Sequence, residues 1–397
     1  MTGILLDRIG RLWTGVERGV VTDAAVAIVD GAIAWIGDAG ADPAADSVAC
    51  DDRVDCGGGL VTPGLIDAHT HPVYGGSRLA EIAARTAGRP YGASDAETGI
   101  GATVTATRAT DAAQLRTAVR RRLRGWTAGG ATTVETKTGY HLTRDGELGA
   151  VALLDELRGG DGLPDLHVTF LAAHAVPPDH TGTPDEHIDA SISWLGAAAQ
   201  QGADACDVFC DEGYFTVAQA RRVLSAGQRA GLTTHIHADE LAHTGGAQLA
   251  AEVGAASADH LLHVTDDDAR AMADAGVVAT LCPGTALAVG ELPDVAALQR
   301  HGVTIALGSD HNPGMVGTTD MSLVVCLGVA AFGLSVTEAL AAATHGGARA
   351  LRLDDRGGIT EGARADLVWW DAEHEGAFAW AWGLPPRAVW RSGDRIV

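Results

Sequence analysis

Basic side chains are scarce in this chain: 28 Lys and Arg stand against 51 Asp and Glu, a formal charge of −23 over 397 residues. Nucleic acid and anionic membrane surfaces both need a basic face, so neither is expected as a partner. A small anionic substrate would have to be held by a local cation against that overall field. Cysteine is sparse too, with six residues, too few for a disulfide framework. Cys206 and Cys210, in CDVFC, share one strand face, where a bridge between them is not expected. A reducing compartment follows. Long apolar runs are missing. The longest nearly apolar stretch, Leu323 to Leu334, is too short to span a bilayer and reads as a buried helix. The opening MTGILLDRIGRL has no basic segment leading into an apolar one and a small-residue cleavage site, so a cytoplasmic protein is expected. Also absent are G-x-S-x-G, a Walker A loop and a G-x-G-x-x-G that opens a helix after a first strand. Gly57-Gly58-Gly59 precedes a strand and reads as a junction, not as a phosphate cradle.

What is present supports a large core, since 46% of the residues are hydrophobic. The ends of the chain read as short strands. Ala25–Val29 and Ala32–Ile36 flank Asp30-Gly31, a hairpin signal, while Ala365–Trp370 and Arg387–Trp390 precede the turn Ser392-Gly393-Asp394. Residues 1–62 and 350–397 are therefore expected to assemble one small β-sandwich from both termini. Residues 63–349 alternate apolar strand runs with amphipathic segments. The strands read as Leu65–His69, Thr132–Thr136, His167–Ala172, Ala205–Phe209, Thr233–His237, Ser257–Leu261, Val277–Leu281 and Val303–Gly308. Helical stretches such as Ala112–Arg124, Gly146–Leu157, Val217–Ala230 and Asp266–Ala275 lie between them. This alternation predicts an α/β fold, a (β/α)8 barrel with a parallel inner sheet.

Functional side chains of such barrels sit where the strands end. Those ends carry His69 and His71, His174, His235 or His237, His260 and Asp310. In His69-x-His71 the alternation of an extended chain puts both imidazoles on one side, where they can share a metal. Alone the pair says little, because chance gives about 0.6 such pairs in a chain with this much histidine. Spacing does not choose between His235 and His237, although His237 lies nearer the strand end. Glu240 falls in the loop above the barrel mouth, where a solvated carboxylate or a first-turn helix residue is the plainer reading. Asp310, in LGSDHNPG, closes strand eight ahead of a turn-rich segment, and a helix N-cap or Asx turn is the plainer, less favoured reading. Three imidazoles and one carboxylate suit one Zn2+ or Fe2+ ion with a position left for water. Such an ion makes hydroxide available near neutral pH, and Glu240 could pass the proton to a departing nitrogen.

The segments TPGLIDAHTHPVYGGSR, GRPY, ATR around Arg108, TTVETKTGY, AAHAVPP, CDVFCDEG, IHADE, GGAQLAAEVGAASADHLL, DHNPG and GGITEGARADLVWWD resemble the amidohydrolase superfamily, and within it the imidazolonepropionase family. The likeness covers nearly the whole chain. It implies His69, His71, His237 and Asp310 as ligands of a single metal, which settles the strand-five choice against His235. It makes Glu240 the acid/base and His260 a neighbour of the metal-bound water. It places Arg78, Tyr91, Tyr140 and His174 against the substrate, with Asn312 and Gly314 near the product's carboxylate end. The guanidinium fork of Arg78 suits a propionate carboxylate, and a donor from His174 would stabilise charge on the ring carbonyl. The implied reaction opens the cyclic amide of 4-imidazolone-5-propanoate to N-formimino-L-glutamate. A related mononuclear deaminase of another small heterocycle is the alternative, and a homodimer is implied by family analogy alone. Binuclear members carry a carboxylated Lys on the fourth strand. ACDVFC has none and Lys137 falls after the second, so one metal is expected. The chain departs from the family's pattern in the thinner glycine content of ETGIGAT, in His141 for a Gly beside Tyr140, and in Met315 for a small hydroxyl residue.

Overall fold

The computed structural model describes residues 3–16, 18–87 and 98–397. Parallel strands at Leu65–Asp67, Ala131–Lys137, Asp165–Ala173, Ala205–Cys210, Thr233–Ala238, Ser257–His260, Val278–Leu281 and Ile305–Leu307 form one eight-stranded sheet in sequence order. The last strand returns to the first. Ala68 N–H donates to the Leu307 carbonyl at 3.3 Å, and a parallel bridge joins Thr70 to His311. The (β/α)8 barrel read from the sequence is therefore present, every strand within a few residues of its expected place.

The helices between strands follow from caps and apolar spacing. Thr183, Thr216 and Thr265 each accept from the N–H three residues on, and the residue at that position reaches back, a reciprocal cap that fixes each helix start. In the helix Ala112–Ala128, Leu115, Val119, Leu123 and Trp126 recur at helical spacing and are buried against the barrel. Burying each such side chain contributes roughly 1.5–3 kcal/mol. The apolar run near Leu323 forms the helix Met321–Phe332. Among the described residues no helix is long and apolar enough to cross a membrane.

The terminal strands expected to make a sandwich form one continuous eight-stranded sheet. Ile4–Trp13 is its long central strand, pairing with Val20–Val29 on one side and with Asp52–Asp55 and then Leu60–Pro63 on the other. Leu60–Pro63 also pairs with Leu367–Trp370, so both chain ends meet there. The hairpin at Asp30-Gly31 has φ of 53° and 78°, the left-handed pair that matches strand twist. Leu6, Ile9, Leu12, Val26, Ile33, Val61, Leu367 and Trp390 fill the sheet's own core. Leu60–Pro63 leads directly into the first barrel strand, so this sheet anchors the segment that carries His69 and His71. All six cysteines are free thiols.

Candidate metal centre and its mouth

Side chains from the first, fifth and eighth strand ends converge at the carboxyl end of the barrel. His69 Nε2 lies 3.2 Å from His71 Nε2, which lies 3.3 Å from His237 Nε2. Asp310 Oδ1 stands 3.7 Å from the first of these atoms and 3.5 Å from the second. Four donors each about 2.0–2.1 Å from a tetrahedral ion would be about 3.3 Å apart, so these edges fit one cation. Asp310 Oδ1 is buried and has no hydrogen-bond partner among the described residues, as an atom reserved for a ligand would be. Burial, with neighbouring cationic groups, holds His69 and His71 well below the usual imidazole range, leaving lone pairs for a metal. His235 points into the barrel one layer lower, with Nδ1 2.9 Å from Ser257 Oγ, and takes no part.

A second group, His69, His260 and Cys282, also brings ligand atoms within 4.8 Å of one another. It shares His69 with the first set, so the two are alternatives, not two sites. Burial and the surrounding carboxylates, Asp310 first among them, push the Cys282 thiol up, which keeps it protonated and a poor ligand.

Beneath the four donors lies an ionic layer that spacing did not reveal. Asp259 Oδ2 is 2.6 Å from His69 Nδ1. Asp207 Oδ2 is 2.9 Å from His237 Nδ1, short but not aligned as a full hydrogen bond, while its Oδ1 accepts from the His237 N–H at 3.2 Å. Between them sits Lys137. The expected strand ended at Thr136, but the strand runs through Lys137 and sends it inside the barrel. Its Nζ is 2.8 Å from Asp207, 2.9 Å from Glu135 and 3.6 Å from Asp259. Burial alone would lower this ammonium's pKa, yet Asp207, Glu135 and Asp259 outweigh it and raise it. The fourth strand indeed carries no Lys.

Above the donors opens a small cavity, lined by His71, Arg78, Tyr140, His174, His237, Glu240, His260, Asp310, Asn312 and Met315 among others. Glu240 is nearly buried, with Oε2 3.8 Å from His260 Nε2. Burial, then Asp310 and Asp211, push its carboxyl well above the usual range. Its loop is fixed from below, because Asp211 accepts from the N–H groups of Glu240, Leu241 and Ala242 at 2.7–3.1 Å. Both ring nitrogens of His260 are buried without hydrogen-bond partners among the described residues. His260 and Asp310 have φ of 73° and 48°, strained values for residues with a Cβ, and such strain gathers at working sites.

Three expectations need correction. His174 was read as a donor to the ring carbonyl. Its Nδ1 lies 3.0 Å from the Gly139 carbonyl, which only accepts, and burial drives the ring's pKa down to about 3. The neutral ring therefore carries its proton on Nδ1 and presents Nε2 as an acceptor. Arg78 was read as a whole fork for a carboxylate, but its Nε and Nη2 edge is bonded to Glu81. Its Nη1 lies over Gly314, where a Cβ would come within 2.2 Å, so a larger residue there would push the guanidinium aside. Gly314, placed by the resemblance near the product's carboxylate end, does not offer its backbone N–H there, because it and that of Met315 donate to Asn312 Oδ1, at 2.9 and 2.8 Å. Arg85, which sequence reasoning passed over, joins this corner through the Gly314 carbonyl and Met315 Sδ. Met315 lines the mouth. His141 does not; it faces a groove between the helices Ala112–Ala128 and Arg144–Leu157. Tyr140 is buried, its ring 5.1 Å from that of His174. Tyr91 lies outside the described residues.

A model of the amidohydrolase family matches residues 74–379. An imidazolonepropionase of Mycolicibacterium smegmatis is 42% identical over 404 residues, covering 100% of this chain and 98% of its own. One from Saccharopolyspora erythraea is 42% identical over 408 residues, all of both chains. Among solved structures, a triazine hydrolase variant superposes with a TM-score of 0.79 at 18% identity, over 100% of this chain and 95% of that one. An adenosine deaminase from Xanthomonas campestris with bound zinc gives 0.72 at 21%, over 99% and 92%. At that identity the two structures speak for the fold alone.

Proposed function

The chain belongs to the amidohydrolase family, and from that premise we propose that it is an imidazolonepropionase, opening the cyclic amide of 4-imidazolone-5-propanoate to N-formimino-L-glutamate in histidine degradation. The observation that carries the reading is the set of four donors at tetrahedral spacing beneath Glu240. His69, His71, His237 and Asp310 would hold one divalent ion, zinc or ferrous iron, both of which accept imidazole and carboxylate. When bound, that ion supplies an acidified water and polarises a carbonyl. The residues do the remainder. Glu240 stands beside His260 in the lining of the mouth. It takes the water's proton and delivers it to the ring nitrogen as the C–N bond breaks, so water's OH ends on carbon and its H on nitrogen. His260 and Asp310 orient the attacking oxygen. His174 accepts from a ring N–H, and Tyr140 walls the ring. Arg78, with Arg85 behind it, supplies the local positive charge for the propionate against the acidic exterior. Six free thiols suit a reducing cytoplasm.

The test is loss of absorbance of freshly prepared imidazolonepropionate. Purified enzyme should accelerate its decay, a chelator should abolish the acceleration, and zinc or ferrous iron should restore it. Arg78→Met should raise KM at least tenfold and leave kcat much less changed. Failure of the metal-loaded enzyme to turn this substrate over would sink the reading.

A further inference from the structure

We propose that Lys137 is a positioning residue of the metal centre: one ammonium holds three carboxylates, and each carboxylate grips a different part of the ligand set. The proposal rests on the metal-centre reading above, though not on the identity of the substrate. Asp259 fixes the ring of His69 through Nδ1 at 2.6 Å, and Asp207 sits 2.9 Å from Nδ1 of His237 and accepts its backbone N–H. Glu135 accepts from the N–H of Thr70, the residue between His69 and His71, at 3.1 Å. The Lys137 N–H adds a bond to the Thr70 carbonyl at 2.9 Å. Lys137 thus ties the second strand to the first, fourth and sixth from inside the barrel.

The physical case is one of compensation. Nζ and all three carboxylates are fully buried. Carboxylates packed this closely without a cation would repel one another or take up protons, and a protonated or displaced Asp no longer sets a ligand's tautomer and tilt. Lys137 cannot instead carry the carbamate that bridges two metals in binuclear relatives. Forming one requires a neutral amine to attack carbon dioxide, and the product would set a further anion against three carboxylates. The ammonium occupies the place where a second cation would otherwise balance this layer.

A purely structural role would make Lys137 resemble Arg356. That side chain is also largely enclosed, at 9% exposure, and bonds Asp165 and Thr133 far from the donors. The experiment therefore compares Lys137→Met with Arg356→Met. Zinc affinity is measured by chelator competition, the visible spectrum after cobalt substitution, and folding by circular dichroism. Because Lys137→Met leaves three carboxylates uncompensated and can fail to fold, the charge-balanced Lys137→Met/Glu135→Gln variant is measured beside it. Expected is a 10–100-fold loss of zinc affinity and shifted cobalt bands in the Lys137 variants, with kcat reduced and KM within about twofold once zinc saturates. Arg356→Met should lose thermal stability yet bind zinc within threefold of wild type. Folded Lys137 variants with wild-type zinc affinity and cobalt spectrum would overturn the proposal. A wild-type protein that binds no zinc, cobalt or ferrous iron would overturn the metal centre itself.

Discussion

Where protons sit decides much of what the mouth can do, and Glu240 and His174 hold theirs in opposite senses. His174 keeps one on Nδ1 for the Gly139 carbonyl and turns a lone pair to the substrate. Glu240 in the metal-free protein holds its proton to higher pH than a free carboxyl, because burial, Asp310 and Asp211 disfavour the carboxylate. In the unfolded chain the same carboxyl ionises near 4.5. Its contribution to stability is therefore complete below that pH and is lost as pH rises through the higher folded value. Gln keeps the shape and cannot ionise. Metal-stripped Glu240→Gln should melt with wild type at pH 4 and above it at pH 8, as scanning calorimetry would show. The same change should lower kcat by about 10²–10⁴ with metal content intact. Equal melting at both pH values would mean that the site stores no such penalty, and full activity would remove Glu240 from its role.

Strands and loops divide into what alternation reveals and what only the fold reveals. His69, His71 and Asp310 stand out as candidates because they follow strand ends, whereas a period of two puts His235 and His237 on one face, and only the family resemblance chooses His237. Asp207, Asp259 and Glu135 lie on other strands, the fourth, sixth and second, one layer below. Nothing local marks them, since the partner of Asp259 is 190 residues away. Lys137 was misplaced because the strand was ended one residue early. Helix ends moved for similar reasons. Thr143 starts its helix at Arg144, ahead of the expected Gly146, and Trp126 extends another past Arg124 to Ala128. Asp211 belongs to the same hidden class. Asp211→Ala would strip acceptors from the N–H groups of Glu240, Leu241 and Ala242, each costing about 1–3 kcal/mol if left unpaired. The loop should then loosen, and kcat should fall at least tenfold while zinc affinity holds, because no donor is touched. Zinc lost in step with kcat would show that the loop supports the donors as well.

At the scale of the chain, barrel order was legible from eight apolar runs, whereas the terminal sheet's continuity depends on pairings between Leu60–Pro63 and Leu367–Trp370, some 300 residues apart. Composition carried one further consequence that the site sharpens. The net charge of −23 repels an anionic substrate at long range, while Arg78 and Arg85 attract it only at the mouth, and Arg78 already shares an edge with Glu81. Screening acts on the two unequally. The Debye length falls from about 30 Å at 0.01 M salt to about 8 Å at 0.15 M, which removes most of the distant repulsion and leaves contacts of about 3 Å largely intact. Raising salt over that range should therefore increase kcat/KM severalfold, through a lower KM at constant kcat. Neutral-surface expectations give no change, and a site dominated by its local cations gives a decline. Arg85→Gln should steepen the rise, since it removes attraction and leaves the repulsive field in place. A kcat/KM that falls with salt would show that the mouth's own positive charge outweighs the acidic shell at every distance that matters to capture.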